Sequence, residues 1–137
     1  MSIPEELIDA YAENMELSFC KFELMGKMLN VNLIKERIKK LSVSELYIYG
    51  GGYLGIQCYL SIFHLIKVLA LIDRTGKLII ERNDIPVISF QKFQEVYNGQ
   101  KIIITPVISY QEIKENLLVF VPENNILFLG EFLGGIL

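Results

Sequence analysis

The sequence contains little cysteine and little histidine. Its 137 residues include two cysteines, Cys20 and Cys58, and one histidine, His64. Two cysteines cannot build the disulfide framework of a small secreted domain, and with one histidine they fall short of the four ligands of a structural zinc site. We therefore expect no metal centre, two free thiols, a solvated His64 and a reducing, cytoplasmic environment.

The sequence also has no excess of positive charge. Thirteen lysines and arginines oppose sixteen aspartates and glutamates, which leaves a net charge of −3. Binding to a nucleic-acid backbone depends on clustered cationic side chains, so nucleic acid is not an expected partner. The basic cluster Lys35–Lys40 is better explained as the solvated C-terminal turn of a helix than as a phosphate-binding patch.

Charged residues are absent between Leu46 and Ile66. A run of this length is long enough to cross a bilayer. Three consecutive glycines interrupt it, however, and Gln57 and Ser61 follow them. Because glycine is costly inside a helix, a strand, a glycine turn and a helix explain the segment better than a membrane span.

Apolar residues make up 52% of the chain, enough for one domain with its own core. After residue 42, short strands of continuous apolar character alternate with helices. Such strands are typical of a parallel sheet covered on both faces, and right-handed crossovers make that sheet doubly wound. The sequence therefore predicts an α/β, Rossmann-like domain over residues 43–137, with about five strands in the order 3-2-1-4-5, after an N-terminal helical extension over residues 1–42.

The predicted elements follow from local patterns. The five strands are Leu46–Tyr49, Val68–Ile72, Ile85–Ile88, Lys101–Thr105 and Ile126–Leu129, with a further extended piece at Lys77–Ile80. A helix is predicted from Tyr53 to about Lys67, and Ser89 caps another. Ser109 and Glu112 have the spacing of a capping box, and residues 130–137 are expected to form a tail.

The N-terminal extension is predicted to be two helices. In the second, Leu33, Ile34, Ile38 and Leu41 are expected to face inward, and Lys35, Arg37, Lys39 and Lys40 outward. In the first, apolar residues recur at three- and four-residue steps, namely Leu7, Ile8, Tyr11, Met15, Phe19 and Phe22. A face this long exceeds what one small domain can cover, so we expect a homodimer through this helix. The alternative is that the helix folds back over its own sheet.

A glycine-rich segment directly follows the first predicted strand and opens a helix. It fits the pattern G-x-G-x-x-G, whose glycines permit a tight turn, the approach of a diphosphate and close helix packing, in that order. The helix dipole and the free N–H groups also favour an anion. The candidate phosphate-binding residues are Gly50, Gly51, Gly52, Tyr53, Leu54 and Gly55. The alternative is that the glycines only build a strand–helix turn.

A carboxylate follows the second predicted strand. Asp73 lies 23 residues after Gly50, where a carboxylate binds the ribose hydroxyls in NAD-type sites. Arg74 beside it either pairs with a ribose 2′-phosphate or faces water. Since Asp73 disfavours that phosphate, we expect NAD rather than NADP. In the alternative interpretation Asp73 only caps a loop.

Thr105 and Pro106 end the fourth predicted strand. In the predicted order this strand lies beside the first, and the carboxyl edge between them is the switch point where open α/β sheets bind ligands. Thr105 is therefore a candidate ligand contact, although a strand-ending role explains it equally well. Ser109 is interpreted as a helix cap alone.

These segments resemble a family of small Rossmann-like domains from bacterial surface-polysaccharide and glycan biosynthesis. Such domains occur alone or fused to glycosyltransferases, sugar methyltransferases and nucleotide-sugar epimerases or dehydratases. The resemblance spans residues 33–133 and is carried by residues 47–55, 70–73, 85–89 and 101–105. It implies that the glycine loop binds NAD or a nucleotide-sugar. Gly51 stands where many members have alanine.

The expected function is binding of NAD or a nucleotide-sugar by an accessory or regulatory module, without catalysis by this chain alone. One alternative is a small nucleotide-sugar oxidoreductase or epimerase. It would need a general acid or base near the loop, for which the candidates are Tyr53, Thr105 or a residue from another subunit. The other is a protein-interaction module with a vestigial nucleotide site.

Overall fold

Five parallel strands form the centre of the protein. The computed structural model describes residues 4–5, 19–50, 52–74 and 85–134. Its strands are β1 (Glu45–Tyr49), β2 (Lys67–Ile72), β3 (Val87–Ile88), β4 (Lys101–Ile104) and β5 (Ile126–Phe128). They pair in the order β3-β2-β1-β4-β5, and each neighbouring pair is parallel. The predicted sheet type and strand order are confirmed.

Helices cover both faces of this sheet. They are α1 (residues 19–28), α2 (Val31–Leu41), α3 (Tyr53–Ile62), α4 (Phe90–Val96), α5 (Tyr110–Leu118) and α6 (Leu129–Phe132), with a 3-10 turn at Glu123–Asn125. Side chains of α1, α2, α3 and α6 share one buried cluster with Leu46 and Ile48 of β1. Side chains of α4 and α5 pack on the opposite face, around Tyr47. The strands are continuously apolar because both faces are buried.

The strand β4 shows how side chains on both faces of the sheet are buried. Successive strand side chains point to opposite faces. Ile102 and Ile104 therefore join the cluster under α4 and α5, whereas Ile103 joins the cluster under α1, α2, α3 and α6. All three are fully buried. Each contributes about 1.5–3 kcal/mol relative to an exposed side chain, so a polar substitution on either face would destabilise the sheet.

Several predicted boundaries are wrong at the ends of elements. The helix α3 stops at Ile62 rather than near Lys67, since the backbone N–H of Leu65 bonds the Ile62 carbonyl and tightens the last turn before β2. Leu129 begins α6 instead of ending β5, and the predicted tail starts inside this helix. The helix begins at Leu129 because the carboxylate of Glu131 caps it, accepting a hydrogen bond from the backbone N–H of Phe128 at 3.4 Å. The predicted extended piece Lys77–Ile80 lies outside the described residues.

The helix α2 packs largely as predicted, with one correction. The side chain of Asn30 caps it by accepting the Leu33 N–H at 3.1 Å, and Ile34 is buried. Arg37, predicted to face outward, is instead half-buried against Gly134. A Cβ atom on Gly134 would overlap the guanidinium, and Nε of Arg37 is buried without a hydrogen-bond partner among the described residues. The contact joins α2 to the C-terminal end of the described chain.

The helix α1 packs on the sheet through one side only. Leu24 and Met28 are buried in the same cluster as the first strand. Phe19 and Phe22, which belong to the predicted apolar face, are 70% and 78% exposed. The other members of that face, from Leu7 to Met15, lie outside the described residues. Within the described part of the chain, no helix is long and apolar enough to cross a bilayer.

Candidate functional site

The glycine turn joins β1 to α3 at the carboxyl edge of the sheet. Gly50 has a positive φ of 122°, and its N–H donates to the carbonyl oxygen of Ile72 at 2.8 Å. A Cβ atom on Gly50 would overlap the Thr105 hydroxyl and lie 2.8 Å from Cδ of Pro106. Position 50 therefore requires glycine for its backbone conformation and for the close approach of the chain after β4.

The next two described glycines have opposite surroundings. A Cβ atom on Gly55 would overlap the carbonyl oxygen of Gly50, so the start of α3 lies directly against the turn. A Cβ atom on Gly52 would meet no atom within 4 Å. Gly52 is the N-cap residue of α3 and has no side chain to cap it, so the first N–H groups of this helix lack an intrahelical acceptor. Gly51 lies outside the described residues.

Two neighbours of the turn are structural. The hydroxyl of Thr105 donates to the Tyr49 carbonyl oxygen at 3.0 Å, and the backbone N–H of Thr105 donates to the same oxygen at 3.0 Å. Thr105 is buried, and its side chain therefore ties β4 to β1 behind the turn. Leu54 is also buried in the core, so it can offer a ligand only its backbone.

The space above the turn divides into two adjoining compartments that share Gly52, Pro106 and Ser109. We call them the β2 compartment and the β4 compartment after the strands beside them. The β2 compartment has a volume of about 480 Å³ and is also lined by Tyr49, Gly50, Ile72, Asp73, Arg74, Phe90, Glu112, Ile113 and Asn116. The β4 compartment has a volume of about 380 Å³ and is also lined by Lys21, Tyr53, Leu54, Gly55, Thr105, Val107 and Ile108.

The β2 compartment carries most of the charge. Asp73 directly follows β2, and its backbone N–H donates to the Ile88 carbonyl oxygen at 3.0 Å. The Arg74 guanidinium is 3.8 Å from the Glu112 carboxylate, which joins the end of β2 to α5. Both side chains are exposed, so this ion pair is weak. The ion pair nevertheless shows that the Arg74 guanidinium lies beside a carboxylate and is not surrounded by water alone.

The predicted capping box at the start of α5 does not form. Ser109 has φ −93° and ψ 11° rather than the extended conformation of a cap, and its hydroxyl makes no capping bond. The Glu112 side chain faces Arg74 instead. Sequence spacing alone cannot show that a side chain has a partner in a distant segment of the chain.

Tyr49 places a protonated hydroxyl in the β2 compartment. Burial raises its pKa, the nearby Asp73 and Glu112 carboxylates raise it further, and Arg74 opposes them. The hydroxyl therefore stays protonated at neutral pH and can donate a hydrogen bond to a ligand. The sequence predicts neither Tyr49 nor Asn116 as a site residue and predicts for Glu112 only a role in a capping box, because the place of these side chains in the site depends on how α5 packs beside β2.

The β4 compartment is mainly apolar. The ring of Tyr53 is 67% exposed, and Val107 and Ile108 line the same space. Lys21 of α1 brings a positive charge to it. No local pattern indicates this role, because Lys21 is about thirty residues from the glycine turn in sequence and reaches the compartment only through the packing of α1.

The other chemically reactive side chains lie elsewhere. His64 is exposed, as predicted, and lines a separate groove with Gln57 and Ser61. Burial raises the pKa of Cys58 to about 12, so this thiol is protonated at neutral pH. Cys20 is partly buried, and burial raises its pKa as well. Both thiols are free, and neither lines the crevice formed by the two compartments.

No protein-family profile matches the chain, and no curated protein matches it in sequence. The fold and the geometry of the crevice therefore carry the functional argument. The resemblance to glycan-biosynthesis domains stays a prediction.

Proposed function

We propose that the crevice binds a nucleotide diphosphate, either NAD or a nucleotide-sugar, with the phosphates over Gly52. The observation that carries this proposal is the contrast between Gly50, Gly52 and Gly55. Gly50 and Gly55 are enclosed by protein atoms, whereas Gly52 faces open space at a helix start. A turn built only to reverse the chain needs no such space, while a diphosphate needs both the space and the N–H groups beside it.

The position of the crevice supports the same proposal. Strands β2 and β4 lie on either side of β1, so the chain crosses over in opposite directions there. The carboxyl ends of strands at such a switch point form the usual ligand crevice of open α/β sheets. The two compartments, of about 480 and 380 Å³, are in the size range of small-molecule sites.

The side chains of the β2 compartment suit a ribose. Asp73 can accept hydrogen bonds from two ribose hydroxyls, and Asn116 lines the same space. A 2′-phosphate would face the carboxylates of Asp73 and Glu112. Because Arg74 already has a carboxylate neighbour, it compensates that repulsion only in part. This favours NAD over NADP.

The proposed role is that of a cytoplasmic accessory or regulatory module in bacterial surface-glycan synthesis. The resemblance over residues 33–133 supports the pathway, and the crevice supports binding rather than turnover. Of the two candidates for a general acid or base, Thr105 is already bonded to Tyr49, which weighs against the oxidoreductase or epimerase alternative. Tyr53 lines the β4 compartment, so that alternative depends on Tyr53 or on a residue from another subunit.

We also propose that α1 forms a homodimer with a second copy of the chain. Phe19, Phe22 and Leu29 occur at helical spacing and are all at least 70% exposed. Leu24 and Met28 hold the other side of the helix on the sheet. An apolar stripe that the rest of the chain leaves exposed can pack against the same stripe of a second copy, related to it by a two-fold axis.

The proposed ligand can be tested by thermal melting of protein shown by mass spectrometry to carry no nucleotide. NAD, NADP, ADP-ribose and UDP-glucose would each be added in excess. A ligand at about one hundred times its Kd stabilises the fold by roughly 2.7 kcal/mol, which raises the Tm by several degrees. We expect a shift with NAD and ADP-ribose, or with UDP-glucose, and a smaller one with NADP. No shift with any of the four would contradict the proposal.

A further inference from the structure

Lys21 connects the N-terminal extension to the crevice. It belongs to α1, yet it lines the β4 compartment together with Gly52, Tyr53 and Ser109. The compartment thus combines the open start of α3, an aromatic ring and one ammonium group from a distant part of the chain. The remaining lining is largely apolar, with Val107 and Ile108.

We propose that Lys21 supplies the positive charge that binds the diphosphate of the ligand, so that the N-terminal helix completes the nucleotide site. This inference rests on the proposed function. A glycine turn offers backbone N–H groups but no full charge, whereas a diphosphate carries about two negative charges. Arg74, the other cation lining the crevice among the described residues, lies in the β2 compartment beside Glu112. Among the described residues, Lys21 is the cation that lines the β4 compartment.

The packing of α1 fixes the position of this lysine. Leu24 and Met28 lie one and two turns further along the helix and are buried in the main cluster. The backbone at position 21 is therefore held by a packed helix rather than by a loop. On the same helix, the Glu23 carboxylate is 3.8 Å from the ammonium of Lys27, so it neutralises that lysine rather than Lys21.

The arrangement also defines the class of ligand. Lys21 lines the β4 compartment, and Gly52 lines both compartments, so a diphosphate over Gly52 would lie between the two and border the compartment that holds Lys21. The pendant group would then lie in the β4 compartment, against the ring of Tyr53 and the side chain of Ile108. A dinucleotide or a nucleotide-sugar has such a group, and a nucleoside monophosphate does not.

The test is titration calorimetry with ADP-ribose and UDP-glucose on the full chain. Lys21→Gln removes the charge and leaves a polar side chain that is one atom shorter, Lys21→Arg keeps the charge, and Lys92→Gln on α4 is the matched control. Lys92 is exposed, ion-paired with Glu95 at 3.7 Å, and absent from the crevice lining.

We expect Lys21→Gln to weaken diphosphate binding by about tenfold at low ionic strength and by less in about 0.5 M salt, since salt screens exposed charges. Lys21→Arg should stay within about threefold of the wild type, as should Lys92→Gln. The Tm without ligand should not change, because Lys21 is exposed.

The possible results separate this inference from the proposed function. If the wild type binds a diphosphate and Lys21→Gln binds it equally well at low salt, the role of Lys21 is wrong and the proposed function stands. An equal loss in Lys92→Gln would likewise overturn it, because the effect would then be one of net charge. If the wild type binds neither ligand, both proposals fail.

Discussion

Gly55 lies so close to Gly50 that a Cβ atom at position 55 would overlap the carbonyl oxygen of Gly50. This contact fixes the start of α3 on the end of β1 and aims the first turn of the helix over the carboxyl edge of the sheet. Between these two glycines, Gly52 faces open space. One short turn therefore combines positions required by the fold with a position that leaves room for a ligand.

The same substitution at two glycines separates these roles. Gly55→Ser should lower the free energy of unfolding by about 1–3 kcal/mol, because the new side chain must displace backbone. Gly52→Ser should change it by less than about 0.5 kcal/mol, since serine is a good N-cap and the space is open. Urea unfolding measures both. Equal effects at the two positions would show that the packing around the turn differs from this account.

The role of Asp73 can be measured in the affinity for NAD. Asp73→Ala should weaken binding by about 1.5–3 kcal/mol, the usual cost of losing hydrogen bonds to a charged group. Glu95→Ala, which removes an exposed carboxylate on α4 outside the crevice, is the control. If NAD binds and Asp73→Ala leaves its affinity unchanged, another part of the ligand is recognised, which would favour a nucleotide-sugar.

The dimer prediction depends on the exposed side of α1. Light scattering at tens of micromolar should report a dimer for the wild type and a monomer for Phe22→Asp, because the charge would be buried in the interface. Val119→Asp changes a residue that is equally apolar and 84% exposed, but lies after α5 on the opposite face. It should remain a dimer. A monomeric wild type at these concentrations would rule the interface out.

The buried thiol of Cys58 predicts a loss of stability at alkaline pH. Its pKa is about 12 in the folded protein against 9.0 for an ordinary thiol. The Cys58 thiol therefore makes its full contribution to the free energy of unfolding below pH 9.0. That contribution falls as the pH rises toward 12, by at most about 4 kcal/mol. Urea unfolding at a series of pH values should show a shallower alkaline decline in Cys58→Ala. Equal declines would mean that other groups cause it.

Much of the fold could be predicted because its signals are local. Continuous apolar strands indicate a sheet buried on both faces, and the glycine turn marks the boundary between β1 and α3. Ser89 was predicted to cap a helix, and its hydroxyl accepts the Lys92 N–H at 3.1 Å. Each of these patterns involves residues that are neighbours in the chain, and packing elsewhere leaves them unchanged.

The site was only partly predictable because its side chains come from distant elements. Lys21 reaches the crevice only after α1 has packed on the sheet, and Glu112 leaves its expected cap for Arg74. Arg37 turned inward for the same kind of reason, since Gly134 leaves room for it. The pattern of one segment carries no signal for a partner on another.

The proposed diphosphate site is tested most directly by calorimetric titration of nucleotide-free wild type and Gly52→Val with NAD, ADP-ribose and UDP-glucose. We expect saturable binding of at least one ligand to the wild type. We expect no binding to Gly52→Val, whose side chain fills the space above the turn, while the free energy of unfolding stays within about 1 kcal/mol of the wild type. A wild type that binds none of the three, or a folded Gly52→Val that binds as tightly as the wild type, would contradict the proposal.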